Sequence, residues 1–326
     1  MAEAAGVSRT TVSFVLNDHP NAGAIPEATR RRVLATAEKL GYTPSPEARA
    51  LRSGRSSVVL CLMPDWPITG PFGVLLREVS SELNAVGLTM LFHQRSPGED
   101  LTQVFGALTP RAVVAIGELS PAEVDLADRR GITVTSFMGD VPNREDVSAL
   151  KQTEIGRLQA DALIKHGHTS LAYVSPADRA LDWFSTPRLE GARNQLSQAG
   201  GRLIHWRLPP GNNRSAVRKW LRRATADGLT GICAYNDEVA FALMMAALEE
   251  GLSVPTDVSV VGADDSPFSR LARPAITTIA FRLNKEAQRL AAIVTDSVEE
   301  QVKPRPSTLL TLKMRDSVRN LSTGAG

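Results

Sequence analysis

Two groups of side chains in this sequence have the types and spacing for recognition chemistry. The first is in GVSRTTVSFVLN, residues 6–17, where Ser8, Arg9, Thr10, Thr11, Ser13 and Asn17 place a guanidinium, hydroxyls and an amide close together around Phe14. Such groups bond phosphate oxygens and base edges, a guanidinium can fork onto guanine, and a phenyl ring suits a thymine methyl. The second group is dispersed: Trp66, Phe72, Trp183, Arg188, Asn236, Asp237 and Asp264. An arginine near carboxylates and flanked by aromatic faces suits a small hydroxylated or heteroaromatic ligand, held by hydrogen bonds and stacking. The plainer alternatives are lobe-core packing for Trp66 and Phe72, and a structural ion pair for Arg188 and Asp264.

The elements that must carry the first group are short helices. Val12, Val15 and Leu16 recur at i, i+3, i+4, so Arg9, Thr10, Ser13, Phe14 and Asn17 are expected to face largely outward. Ser8 stands at the N-cap position, and Gly6 supplies a sharp turn after the apolar run Met1 to Ala5. A further helix is expected over 29–40, with Pro26 at its first turn, Val33, Ala37 and Leu40 as its buried stripe, and Gly41 as the stop. Three short helices in about forty residues make a minimal bundle of the helix-turn-helix kind, whose second helix enters the major groove.

The second group stands on a different framework. From residue 57 on, apolar runs alternate with amphipathic helical patterns. Strands are expected at 58–63, 88–92, 113–116, 132–137, 171–174, 203–206, 232–235 and 258–262, with helices at 74–86, 121–130, 155–166, 215–224 and 239–250. This is the βαβ pattern of parallel, doubly wound sheets, and eight strands in two sets of four imply two similar lobes. Ligands of such sheets bind outside the carboxyl ends of the strands, where the residues of the second group fall.

Composition fits a soluble globular chain: 326 residues, 43% apolar and 22% charged. The net charge of +2 is unevenly spread. Residues 1–56 hold eight Lys or Arg against five Asp or Glu, whereas the rest holds 29 against 30. The cationic excess therefore sits where phosphate contacts would use it. No apolar run approaches a membrane span and no signal-peptide pattern opens the chain, so a cytoplasmic protein is expected. Cys61 and Cys233 lie in apolar runs as buried strand residues rather than a disulfide or metal pair, and the HGH at 166–168 lacks further ligands of metal-binding spacing. Nothing calls for a cofactor. No dinucleotide, P-loop, zinc-protease or nucleophile-elbow motif is found, which weighs against an enzyme.

The segments AEAAGVSRTTVSFVLN and IPEATRRRVLATAEKLGYTPSPEARALRSGRS resemble the headpiece and hinge of the lactose/galactose repressor (LacI/GalR) family of bacterial transcription regulators. RLEGARNQL, AYNDEVAFALMMAALEEGLSVPTDVSVVGADD and RPAITTIAF follow in the order and spacing of that family's effector domain. The resemblance implies an α/β protein: an all-α helix-turn-helix headpiece (1–44), a hinge helix and linker (45–56), and a two-lobed, periplasmic-binding-protein-like effector and dimerisation domain (57–326). The N-lobe is expected at about 57–153 plus 281–306, and the C-lobe at about 154–280 plus 307–326.

The same resemblance implies a repressor that binds double-stranded DNA as a homodimer on a pseudo-palindromic operator, controlled by a small effector, a sugar or related metabolite, between the lobes. It further implies that Leu51 wedges into the minor groove, with Ala48, Arg49 and Arg52 beside it. A cytoplasmic solute-binding module, with the N-terminal helices as a mere adaptor, is the competing reading. The sequence departs from the family at three places: Phe14 stands where most members have arginine, Leu150-Lys151-Gln152 replaces a Val-Asp-Asn segment, and GNNRS replaces an aromatic after the second strand of the C-lobe.

Overall fold

A computed structural model describes residues 1–16, 23–42, 56–64, 70–96, 98–137, 151–295 and 309–322. The expected site residues Asn17, Ala48, Arg49, Leu51, Arg52 and Trp66 lie outside them.

The N-terminal unit is built from α1 (Ala2–Ala5), α2 (Arg9–Leu16) and α3 (Glu27–Lys39). Gly6, in the left-handed region at φ 61°, ends α1. Ala5, Val12, Val15 and Val33 close the small core, with Val7, Leu16 and Ile25 packed at its edge. Pro26 is the N-cap of α3, so the helix starts earlier than the pattern at 29–40 suggests. Leu40 is not part of the buried stripe: it lies just past the helix and is 53% exposed. Its backbone leaves helical geometry there, so the i+3 spacing that buries Val33 and Ala37 no longer applies.

The rest of the described chain forms two sheets. The first is β1 (Val58–Met63), β2 (Thr89–Gln94), β3 (Ala112–Ala115) and β4 (Thr133–Ser136), all parallel in the order β2-β1-β3-β4. Its crossover helices are α4 (Pro71–Ala85), α5 (Leu101–Leu108) and α6 (Pro121–Arg129). The second sheet differs from the expected set of four. It has six strands in the order β10-β9-β8-β7-β5-β6: β5 (Ser170–Ser175), β6 (Arg202–Arg207), β7 (Gly231–Ala234), β8 (Ser259–Ala263), β9 (Thr277–Phe281) and β10 (Leu310–Lys313). Its helices are α7 (Gln152–Ile164), α8 (Asp182–Gln198), α9 (Arg214–Ala226) and α10 (Asp237–Glu249). β9 and β10 are the additions, and β10 runs antiparallel to β9 at the sheet edge. A short antiparallel edge strand leaves little hydrophobic pattern to read.

From β9 the chain passes through Arg282 to α11 (Leu283–Val294), which packs on α4 and beside β3 and β4 of the first sheet. The chain then returns to the second sheet as β10, so the two sheets share connections as well as contacts. Cys61 and Cys233 are buried strand residues, and their thiols are pushed up to about 12 by burial, which makes them inert at neutral pH. His168 of HGH is buried and bonds the Arg319 carbonyl at 3.1 Å, tying the C-terminal segment to the turn after α7.

Candidate functional site

At the reading helix, Ser8 caps α2: its Oγ accepts from the Thr11 amide at 3.0 Å and lies 2.9 Å from Thr11 Oγ1. Arg9 and Thr10 are exposed at the first turn. Ser13 and Phe14 are half-buried, so the outward face is narrower than a helical wheel suggests. Capping fixes the direction in which α2 leaves the turn, and with it the direction of Arg9.

The effector cleft is assembled where the two sheets meet. Arg188 does not open a helix, as its position after Pro187 suggests; it sits in the middle of α8, with Pro187 inside the helix. It is only 5% exposed. Its Nε donates to Gln152 Oε1 at 2.8 Å, its Nη1 donates to the Tyr235 carbonyl at 2.7 Å, and its guanidinium lies over the Tyr235 ring at 4.7 Å. Gln152 opens α7, and two glycines bring it to Arg188. A Cβ on Gly156 would stand 1.7 Å from the Arg188 carbonyl, and one on Gly191 would stand 1.8 Å from the Thr153 carbonyl. Only glycines let α7 and α8 touch backbone to backbone at this crossing.

Asp264 lies on the other side of the cleft, immediately after β8, at φ 103°. A left-handed aspartate is strained, and the surroundings hold it there. The Asp264 amide donates to the Ile279 carbonyl at 2.8 Å. Asp237 secures the same turn from below. Its carboxylate accepts from Thr278 Oγ1 at 2.6 Å and from the Ser266 amide and hydroxyl, each at 2.8 Å. At 1% exposed, with both oxygens bound by the protein, Asp237 has nothing to offer a ligand. This corrects its expected role as a ligand contact: it is a brace for the strained turn. The side chain of Asn236 is likewise engaged, its Oδ1 capping α10 by accepting from the Val239 amide at 2.9 Å.

Aromatic rings wall the cleft. Phe72, in the first turn of α4, meets Phe137 edge-on at 5.6 Å and Phe184 at 6.0 Å, and Trp183 meets Phe184 at 5.1 Å. Phe72 thus touches residues of both lobes, more than the lobe-core role open to it in the sequence. Gly70, which caps α4, comes so near Asp264 that a Cβ there would lie 3.3 Å from Oδ2. Burial pushes the Asp264 carboxyl up to about 7, opposed by the positive charge of Arg188 and reinforced by Asp237 and Glu238. Burial likewise pushes Asp237 up to about 6, against its three hydrogen bonds. Arg188 and Asp264 feel each other's charge without a direct ion pair, so the structural ion pair is not made.

Sequence reasoning passed over Gln152 and Tyr235 as partners of Arg188. Gln152 was marked only as part of a departure from a family pattern, and nothing in sequence spacing signals a contact spanning α7 and α8.

The comparisons with known proteins agree with this geometry. Residues 1–45 match the family model of bacterial regulatory proteins of the lacI family, and residues 160–318 match that of a periplasmic binding protein-like domain. The ribose operon repressor of Bacillus subtilis is 31% identical, over 89% of this chain and 89% of its own length. This chain belongs to the LacI family. The GalR regulator of Escherichia coli is 27% identical, over 100% of this chain and 96% of its own. The lac repressor dimer, solved bound to operator and an anti-inducer, superposes with a TM-score of 0.75 at 21% identity, covering 98% of this chain and 97% of that one. As a LacI-family member the chain is a DNA-binding transcription regulator and not an enzyme. Among the described residues, no helix is long and apolar enough to cross a membrane.

Proposed function

We propose that this regulator is a cytoplasmic repressor that binds a pseudo-palindromic operator as a homodimer and is controlled by a small, sugar-like effector in the cleft between its lobes. Residues 1–44 are the reading headpiece, 45–56 the hinge, and 57–326 the effector and dimerisation domain. Arg9 and Thr10 contact base edges, Ser8, Thr11, Ser13 and Asn17 set the register on phosphates, and Phe14 favours a thymine methyl. Ala48, Arg49, Leu51 and Arg52 engage the operator centre, with Leu51 as the wedge.

The single observation that carries this reading is the placement of Arg188 and Asp264 across one aromatic-walled cleft, in a chain whose N-terminal unit is a capped helix-turn-helix. Trp66, Phe72 and Trp183 supply apolar faces to the effector, and Arg188, Asn236 and Asp264 its polar contacts. An effector that bridges the lobes changes the angle between them, and with it the spacing of two hinges on DNA. The test is selection of bound duplexes from a random pool by the full chain, followed by release with metabolites that raise its melting temperature. The expected outcome is a twofold-symmetric site released by at least one such compound. Selected sequences without symmetry, or release by none, would refute it.

A further inference from the structure

We infer that Gln152 sets effector specificity by closing the two-point grip of Arg188, so that the cleft takes a neutral polyhydroxyl compound and discriminates against its carboxylate or phosphate counterpart. The inference rests on the reading of the cleft as the effector site. A guanidinium grips an anion through two parallel N–H groups, and it has two edges on which to do so: Nε with Nη2, and Nη1 with Nη2. In this protein Nε is bonded to Gln152 Oε1 at 2.8 Å and Nη1 to the Tyr235 carbonyl at 2.7 Å. Each edge has therefore lost one of its two donors. Only Nη2 is left without a hydrogen-bond partner among the described residues, and a single N–H donor pair suits a hydroxyl better than a carboxylate.

The rest of the cleft points the same way. Asp264 faces Arg188 across the site, so a ligand that touches both meets one positive and one negative group. A bound anion would lie against the Asp264 carboxylate in a place walled by Phe72, Phe137 and Phe184, where water cannot screen the repulsion. Asp264 can accept a hydrogen bond from a hydroxyl, and Nη2 can donate one. A neutral polyol satisfies both at once, with its C–H face on an aromatic ring. The glycine crossing of α7 and α8 makes this stable, because Gln152 and Arg188 cannot drift apart while Gly156 and Gly191 stay in contact.

The experiment is calorimetric titration of the full chain with matched pairs: ribose with ribonate and ribose 5-phosphate, galactose with galactonate and galacturonate, glucose with gluconate and glucuronate. At least one neutral member is expected to bind, at least about tenfold more tightly than its anionic partners. Gln152→Ala and Gln152→Met, which free Nε and reopen one edge, should narrow or reverse that ratio while the proteins melt as single cooperative units. A structural role alone would weaken both members of a pair alike. An anion that binds as tightly as its neutral partner, a panel in which no neutral member binds, or a ratio unmoved in both variants would overturn the inference. Arg188→Ala separates the two levels. A ligand whose affinity it leaves unchanged does not occupy the cleft and overturns the effector reading itself, whereas an anion lost on Arg188→Ala overturns only the specificity claim.

Discussion

Asp264 combines a strained backbone, a partly buried carboxyl and a position facing Arg188, and its titration has a definite sign. In the unfolded chain it loses its proton near the ordinary aspartate value of about 4; in the folded protein burial pushes it up to about 7. Between those values the folded state holds a proton that the unfolded chain has released, so this group's contribution to stability falls as pH rises through the window. Asp237, pushed up to about 6 by burial, acts in the same direction. Asp264→Asn removes the ionisation. The melting temperature of that variant relative to wild type should therefore rise from about pH 5 to about pH 8, as followed by scanning calorimetry. A difference that stays flat across the range would show that Asp264 ionises normally. Phe14 supports a second expectation at this scale. Its ring is half-buried on α2, and Phe14→Arg should shift the preferred base at one position per half-site toward guanine by about 1 to 3 kcal/mol. Identical selected sites for both proteins would place Phe14 in the headpiece core instead.

Among the elements, the crossing of α7 and α8 carries the greatest consequence. Gly156 and Gly191 permit backbone contact, and that contact presents Gln152 to Arg188. Gly191→Ala places a methyl 1.8 Å from the Thr153 carbonyl, so the helices must separate. Overpacking of this kind typically costs about 1 to 3 kcal/mol, and here it also stretches the Gln152 bond. The expected result is a lower midpoint in urea unfolding together with weakened effector binding; a variant with both properties unchanged would show that the crossing relaxes freely. Elements with a clear period were legible beforehand. Ser8 at the cap of α2, β1 at 58–63 and the parallel order of the sheets follow from local pattern. β9 and β10 were missed because TTIAF and LTLK are short, and a strand that pairs at a sheet edge need not bury an unbroken apolar run.

On the scale of the whole molecule, a single α2 spans only a few base pairs, and two related by a twofold axis multiply specificity. Phe241, Leu248 and Leu271 are 39%, 69% and 75% exposed, with Phe241 against Phe268 at 5.8 Å, an apolar surface that suits contact with a second copy. Light scattering at micromolar concentration should report twice the chain mass, and Phe241→Glu should lower it. A wild-type monomer, with and without DNA, would sink the twofold model. The sequence by itself determined the helix-turn-helix, the alternation of strands and helices, and the residue types at the strand ends, because each depends on periodicity or capping within a few residues. Only the tertiary structure decided that Asp237 braces rather than binds, that Leu40 faces solvent, and that Gln152 takes a hydrogen-bond edge from Arg188, 36 positions away. Those outcomes depend on how closely two helices approach and where a turn folds back, and such non-local packing leaves no periodic trace in the chain.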